Sequence, residues 1–264
     1  MTRRITLAFA GACLFALGSA VGSWTTPSGL VLQAAPASKC GAVPSASALA
    51  GFLAAAPAWT GVGVGPVGGI FNGARMWGAV VNRDGELCAY ATNQADPSQV
   101  WPGSQAIAKA KAYTANAFSL DTFALSTARL YTFTQPGHSL WSLGQSNLFD
   151  TRFLAAPGAQ GSINQITGGL IFFGGGVPLY SGGKIVGGLG VSGDTSCADH
   201  EVAKRVRDQA ALNPAGGATA DDITYSSADG ANVLQAATVP DFSPVMNQRC
   251  RCSEEPWVKL SGIA

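Results

Sequence analysis

The chain has 264 residues, of which 47% are apolar, and a formal net charge of +1. The apolar fraction suffices for a packed core, and the length favours one substantial domain with extensions or two small ones. Charged residues make up only 12% of the chain, and no Lys/Arg cluster forms the basic stripe typical of a nucleic-acid-binding protein. Nucleic acid is therefore excluded as an expected partner.

The N-terminus has the pattern of an export signal. Arg3 and Arg4 precede an uncharged run over residues 5–17, and small residues follow up to Ala20. The run is about 13 residues long, which is shorter than the roughly 20 that a membrane-spanning helix needs. We therefore predict a signal peptide over residues 1–20 and a periplasmic or secreted mature protein. The arginine pair leaves both the general secretory route and the twin-arginine route open.

Five cysteines remain after the predicted cleavage, and disulfides persist in the compartments to which a signal peptide leads. These cysteines are Cys40, Cys88, Cys197, Cys250 and Cys252. Because five is odd, we expect one thiol to stay free or to pair between chains. The Cys-x-Cys pair is spaced too tightly for a usual zinc half-site. We expect one or both of its cysteines to tie the C-terminal tail to the body, with Cys40 or Cys197 as a partner.

Composition divides the mature chain into three parts. Residues 21–47 are rich in small residues, Gly and Pro, and are predicted to be an extended N-terminal arm. Residues 48–212 carry the regular patterns and form the predicted domain. Residues 213–264 are predicted to be a tail, carrying the Cys-x-Cys pair, that wraps or docks. An Ala/Leu stretch over residues 47–56 predicts a short helix ended by Pro57.

Two hairpins are predicted. The first pairs residues 76–81 with residues 86–91, because two β-rich runs flank a turn that ends in Asp84-Gly85. The second pairs residues 177–180 with residues 185–191 across a Ser-Gly-Gly-Lys turn. Both hairpins favour an antiparallel sheet.

The returning strand of the second hairpin has one bulky face and one face that is almost bare backbone, because Gly188 and Gly190 share a side. Together with Gly193 they match the dinucleotide pattern G-x-G-x-x-G. The strand enters from an antiparallel hairpin, however, and no following strand ends in an acidic residue, so the βαβ unit that this pattern requires is missing. The glycines would instead let a helix or a flat ligand approach the sheet closely.

Two longer helices are predicted. The first runs over residues 104–118 with Ser104 as its cap. A stripe of mostly small residues would let it lie close to a sheet, and the stripe consists of Ala106, Ala110, Tyr113 and Ala117. Lys109 and Lys111 on this helix are expected to be solvated. The second helix runs over residues 199–212, and Ser196 with Asp199 resembles a capping box at its start.

The chain has two histidines, which are too few for a site with several histidine ligands to a metal. His138 lies in a Pro-Gly loop and His200 in the first turn of the last predicted helix. Each is either a solvated or turn residue or an axial ligand to haem iron. The sequence lacks Cys-x-x-Cys-His, which excludes covalent c-type haem, and lacks the Gly-x-Ser-x-Gly elbow of many hydrolases. An enzyme is therefore less expected than a binding protein.

Several motifs together resemble the signature of the GlcG/HbpS-like family, which includes the C-terminal domain of PduO-type proteins. In sequence order these are Val80 to Leu87, Ala110 to Ala115, Gly175 to Tyr180, Gly183 to Gly193, Asp199 and Ala203. The resemblance covers roughly residues 48–212. An aromatic stretch from Phe123 to Phe153 and the two terminal extensions depart from the short family domain.

The resemblance implies an α+β fold in which an antiparallel β-sheet is covered by α-helices, here with irregular N- and C-terminal extensions. It also implies symmetric homo-oligomers and, for some members, binding of haem or a related tetrapyrrole. A secreted member of the family acts as a haem-responsive accessory to a sensor kinase. A membrane sensor or an enzyme is therefore an expected partner.

The leading hypothesis is an exported small-ligand-binding protein whose pocket holds a small hydrophobic ligand, haem by preference, against the glycine-lined strand. Its candidate ligand-binding residues are Lys111, Thr114, Gly188, Gly190 and Asp199, and Lys111 would pair with a propionate. Its candidate axial ligands to the haem iron are His138 and His200. A first alternative is a cofactor-handling protein or enzyme that acts on a corrinoid or small metabolite with Lys111 and Asp199 in its pocket. A second alternative is an oligomeric scaffold that assembles through its extensions.

Overall fold

The computed structural model describes residues 39–63, 65–154, 162–226 and 251–253. These residues belong to one compact unit that begins at Ala37. The predicted signal peptide, residues 21–38 and most of the tail, including Cys250, lie outside the described residues. No helix in the described ranges is long and apolar enough to cross a membrane.

The chain forms helices and strands in the order expected for an α+β domain. The helices are α1 (Ala46–Ala55), α2 (Ser104–Ala117), α3 (Leu143–Ser146) and α4 (Ser196–Gln209). The strands are β1 (Trp77–Asn82), β2 (Leu87–Thr92), β3 (Gly176–Ser181), β4 (Lys184–Ser192), β5 (Thr224–Ser226) and β6 (Arg251–Ser253).

The main sheet has four antiparallel strands in the order β2-β1-β4-β3. Both predicted hairpins are confirmed, since β1 pairs with β2 and β3 pairs with β4. The two hairpins join at the centre of the sheet, where Val80 of β1 lies opposite Leu189 of β4. The antiparallel β4 also shows that the glycine motif on it belongs to no βαβ unit. A separate pair of short strands, β5 and β6, lies near the C-terminus.

One face of the main sheet packs against α1 and α4. Side chains of alternate residues on β1 and β4 join this core because successive residues of a strand point to opposite faces. Fully or almost fully buried members of the cluster include Leu49, Leu53, Val80, Leu189 and Val202. This is the bulky face that the sequence predicts for β4.

The opposite face packs against α2, and the glycines of β4 permit the contact. A Cβ atom on Gly190 would overlap the carbonyl oxygen of Ala108, and one on Gly188 would overlap that of Ala112. The helix therefore rests directly on the strand backbone. Of the two predicted reasons for these glycines, helix packing is the one observed, and a flat ligand has no room against this part of the strand.

The side of α2 that meets the sheet differs from the predicted stripe. Ala108 and Ala112 join the core cluster on this face, whereas Ala106 and Tyr113 are half-buried and Ala117 is exposed. The predicted stripe was chosen from residue spacing alone, and Ala110 is its one buried member.

Both lysines of α2 are buried instead of solvated. Lys109 and Lys111 are 0% exposed. A segment that includes Phe149 and Gly168 runs along the side of α2 away from the sheet, and Gly169 lies close to Ala110. The helix is thus covered on two sides, which leaves the lysine ammonium groups inside the protein.

The helix caps are shifted by one residue from the predicted ones. Thr195 caps α4 and its side chain accepts a hydrogen bond from the Ala198 amide, while Ser196 is the first helical residue. Ser104 likewise lies inside α2, whose N-cap is Gly103. α1 begins after Ser45, whose side chain accepts from the Ala48 amide.

Residues that follow α4 dock back onto it through ion pairs. Arg207 donates to both carboxylate oxygens of Asp221 at 2.6 and 2.9 Å, and both side chains are fully buried. Lys204 donates to Asp222 at 2.6 Å, and the Ser126 hydroxyl donates to the Asp221 carbonyl at 2.7 Å. The first part of the predicted tail therefore packs on the domain.

Cys40 forms a disulfide with Cys88 of β2, 48 residues further along the chain. The bond fixes the residues just before α1 to the edge strand of the sheet. Of the two partners predicted for the tail cysteines, Cys40 is therefore excluded. The spacing of cysteines could not reveal this pairing, because it depends on where α1 places the preceding residues.

Candidate functional site

A pocket of about 360 Å³ lies beside α2, on the side away from the sheet. It is built by two segments that are distant in sequence, one around α3 and one just before β3. The lining residues are Tyr131, Thr134, Gln135, Ser142, Gly144, Gln145, Leu148, Leu170, Ile171, Phe172 and Phe173. The volume falls within the usual range of about 300–1,000 Å³ for small-ligand sites.

The lining of the pocket is apolar and aromatic, with a few neutral polar groups and no charged side chain among its described members. Tyr131 is 46% exposed and Leu148 is 77% exposed, so large apolar surface is accessible from solvent at the pocket. Trp141, on the loop just before α3, is 50% exposed. Exposed apolar surface beside a concave site is typical of a place where a hydrophobic ligand or partner binds.

Thr114 holds the pocket wall to α2. Its hydroxyl donates to the Ala110 carbonyl at 2.7 Å and accepts from the Ile171 amide at 3.0 Å. The side chain is fully buried and therefore does not line the pocket. Thr114 instead sets the position of the segment that contributes Leu170 and Phe173.

Lys111 and Asp199 form a buried ion pair immediately behind the same wall. The Lys111 ammonium donates to Asp199 at 2.7 Å and to the Val191 carbonyl at 3.0 Å. It also lies 4.8 Å from the centre of the Phe173 ring, in a cation–π contact. Lys111 is therefore occupied by Asp199, and the predicted contact with a propionate would require this pair to break.

The pKa of Asp199 differs from that of an ordinary aspartate. Burial raises the pKa of Asp199 from its ordinary value of 3.8 to about 6, and the charge and hydrogen bond of Lys111 offset part of that effect. Its second carboxylate oxygen accepts from the Asp194 amide at 2.9 Å. Asp194 is itself largely buried, and burial raises the pKa of Asp194 as well. Perturbed pKa values are typical of functional sites but also occur in structural ion pairs.

The two histidines lie in different environments. His200 is fully buried on α4, and its Nε2 lies 3.2 Å from an oxygen of Asp222. Burial alone would raise the pKa of Asp222, but the hydrogen bond and charge of His200 and the charge of Lys204 hold that pKa well below its usual range. His138 is exposed on the loop before α3. Neither histidine lines the pocket.

The structure thus brings three of the predicted site residues to one place. Thr114, Lys111 and Asp199 support the wall of the pocket from behind, whereas Gly188 and Gly190 serve the contact between β4 and α2. The pocket lining itself was missed by the sequence reasoning. Its signal was present in the aromatic stretch over residues 123–153 and the Leu-Ile-Phe-Phe run at 170–173, which the sequence presents as unrelated segments.

A family model matches this chain over residues 71–208, which is more than half of its length. The chain belongs to the family described as haem degrading protein HbpS-like. This agrees with the resemblance seen in the sequence motifs. No curated protein shows significant similarity to the chain.

Several solved structures are similar to parts of the chain. A protein named ORFY from Klebsiella pneumoniae is 24% identical, with 51% of this chain and 74% of that chain covered and a TM-score of 0.37. A PduOC:heme complex is 25% identical, with 51% and 77% covered and a TM-score of 0.38. A double mutant of HbpS from Streptomyces reticuli is 18% identical, with 69% and 97% covered and a TM-score of 0.41.

Proposed function

We propose that this protein is exported and binds haem or a related tetrapyrrole in the pocket between α3 and residues 170–173. The observation that carries the proposal is the lining of that pocket, which is aromatic, apolar and uncharged in its described part. A flat hydrophobic macrocycle buries its faces against such side chains. The described lining residues include no carboxylate to repel the propionates, and Gln135, Ser142 and Gln145 offer neutral hydrogen-bonding groups.

Family membership supports the same ligand class. The family description names haem degradation, a reaction that requires haem to bind first. The Cys40–Cys88 disulfide supports an oxidising compartment, as the predicted signal peptide does. Assembly into a homo-oligomer and a membrane-sensor or enzyme partner remain predictions, and light scattering of the purified protein tests the first of them.

The test is an absorbance titration of the mature, oxidised protein with haemin. We compare wild type with Leu148→Asp, which places a carboxylate in the pocket at a side chain that is 77% exposed and therefore adds little risk to folding. The matched control is Leu154→Asp, at a residue that is 55% exposed and does not line the pocket. We expect saturable binding that Leu148→Asp weakens at least about tenfold through apolar contact loss and repulsion of the propionates.

Two results would count against the proposal. Absence of any saturable Soret change in wild type would remove haem as the ligand. Equal weakening in both aspartate variants would show that haemin binds elsewhere. Incubating the complex with ascorbate in air separates binding from degradation, because loss of the Soret band over time would indicate turnover and a stable band would indicate binding alone.

A further inference from the structure

The pocket contains one side chain of a type that holds haem iron in proteins. Haem iron is ligated by His, Cys, Met or Tyr side chains. Of these types, only Tyr131 occurs among the described lining residues. His138 and His200 do not line the pocket, and the Nε2 atom of His200 faces Asp222.

Two other polar side chains of the lining are hydrogen-bonded to the backbone around Tyr131. The Thr134 hydroxyl is committed to the carbonyls of Leu130 and Tyr131, at 3.2 and 2.8 Å. The Gln135 amide nitrogen donates to the Tyr131 carbonyl at 3.0 Å. These bonds fix the backbone around Tyr131 and leave its ring on the pocket surface, where it is 46% exposed.

We propose that the phenolate oxygen of Tyr131 is the axial ligand to ferric haem in this pocket, an inference that rests on the proposed haem-binding function. In forming the iron–oxygen bond, the phenol releases its proton to solvent, and a water molecule leaves the iron. No electron is transferred, so the iron stays ferric. An anionic oxygen ligand favours ferric over ferrous iron, so reduction is expected to weaken the bond.

The test uses two probes with the mature, oxidised protein. Haemin reports both the macrocycle and the iron, whereas metal-free protoporphyrin IX reports the macrocycle alone. The variants are Tyr131→Phe, which removes only the hydroxyl, and Tyr113→Phe as a matched control at a half-buried tyrosine of α2 outside the pocket. The readouts are the absorbance titration and the electron paramagnetic resonance spectrum of ferric iron.

We expect Tyr131→Phe to weaken haemin binding at least about tenfold, which corresponds to about 1.4 kcal/mol, and to change the ferric spectrum. Protoporphyrin IX should bind wild type and Tyr131→Phe equally, and Tyr113→Phe should match wild type with both probes. Unchanged haemin affinity and spectrum in Tyr131→Phe would overturn the inference while leaving the proposed function in place. A spectrum altered by His138→Ala or His200→Gln, but not by Tyr131→Phe, would likewise overturn it. Failure of wild type to bind either probe would instead refute the proposed function.

Discussion

At the scale of single residues, Lys111 and Asp199 form an ion pair in which both side chains are buried away from water. Removing two charges from water is costly, and the attraction between them often does no more than offset that cost. The pair also makes hydrogen bonds to the Val191 carbonyl and from the Asp194 amide. Lys111 of this pair also contacts the Phe173 ring of the pocket wall.

The raised pKa of Asp199 predicts a specific pH dependence of stability. A carboxyl whose pKa rises on folding stabilises the protein fully below its unfolded pKa of 3.8, and this contribution is lost as pH rises through about 6. The whole shift corresponds to about 3 kcal/mol. Between pH 4.5 and 7, the free energy of unfolding of wild type should therefore fall by about 2 kcal/mol relative to Asp199→Asn.

Urea unfolding at several pH values measures this difference. The quantity compared is the slope of the unfolding free energy against pH, because Asp199→Asn also changes the absolute stability. Asp150→Asn is the control. Its hydrogen bond with Arg152 lowers the pKa of Asp150, so that carboxyl titrates below the window and the slope should match wild type. Parallel curves for wild type and Asp199→Asn would show that burial does not raise the pKa of Asp199.

Removal of the Thr114 hydroxyl is expected to weaken both stability and ligand binding. Thr114→Val keeps the shape of the side chain but leaves the Ile171 amide without its acceptor. A buried donor without a partner costs about 1–3 kcal/mol. We expect thermal or urea unfolding to show this loss and haemin titration to show weaker binding, since the wall that carries Leu170 and Phe173 is released.

Thr114→Ser is the matched control because it retains the hydroxyl. It should keep haemin affinity close to that of wild type. If Thr114→Val loses stability but binds haemin as wild type does, the wall is held by other contacts and Thr114 has a purely structural role.

At the scale of elements, the close contact between α2 and β4 depends on glycine. Gly190→Ala should destabilise the protein by about 1–3 kcal/mol, because the added methyl group meets the rigid backbone of α2 and the helix must move. Gly51→Ala in α1 is the opposite case, since no atom lies within 4 Å of the added Cβ. It should stabilise the protein by about 0.5–1 kcal/mol through helix propensity. Urea unfolding of both variants measures these two changes in stability. Equal changes in the unfolding free energy would contradict the role assigned to the glycine on β4.

Local patterns predicted the elements of this fold well. The hairpin around Asp84-Gly85 and the hairpin across Gly182-Gly183 follow from turn residues that adopt positive φ, and Gly85, Gly182 and Gly183 do so. The helices α1, α2 and α4 were also predicted, with boundaries shifted by up to three residues, whereas the short helix α3 was not predicted. Small residues and glycines on α2 and β4 correctly indicated a close helix–sheet contact, although the wrong stripe of α2 was chosen.

Features that depend on distant parts of the chain could not be predicted. The burial of Lys109 arises because a later segment covers α2, and its ammonium donates to the Phe153 carbonyl at 3.2 Å. Burial accordingly lowers the pKa of Lys109 to about 8. The pocket likewise combines residues 131–148 with residues 170–173, and neither segment shows a motif for a binding site by itself. Thr114, Lys111 and Asp199 were selected as site residues, but their place behind the wall is visible only in three dimensions.

At the scale of the whole molecule, one covalent bond joins the segment before α1 to the edge of the sheet. β2 is an edge strand, and the Cys40–Cys88 disulfide and hydrogen bonds between Leu87 and residues 164–165 lie along it. Covering an edge strand limits unwanted pairing with other chains. The disulfide also closes a long loop that contains α1 and β1, so it restricts the unfolded chain.

Reduction of this disulfide should cost about 2–4 kcal/mol of unfolding free energy. Urea unfolding of wild type with and without reductant measures the loss, and the double variant Cys40→Ala/Cys88→Ala provides the control. The double variant should lose about the same unfolding free energy relative to oxidised wild type. A further loss on reducing the double variant would reveal a second bridge among Cys197, Cys250 and Cys252. If wild type itself does not respond, Cys40–Cys88 contributes no net stability, and its support for an oxidising compartment would be weakened.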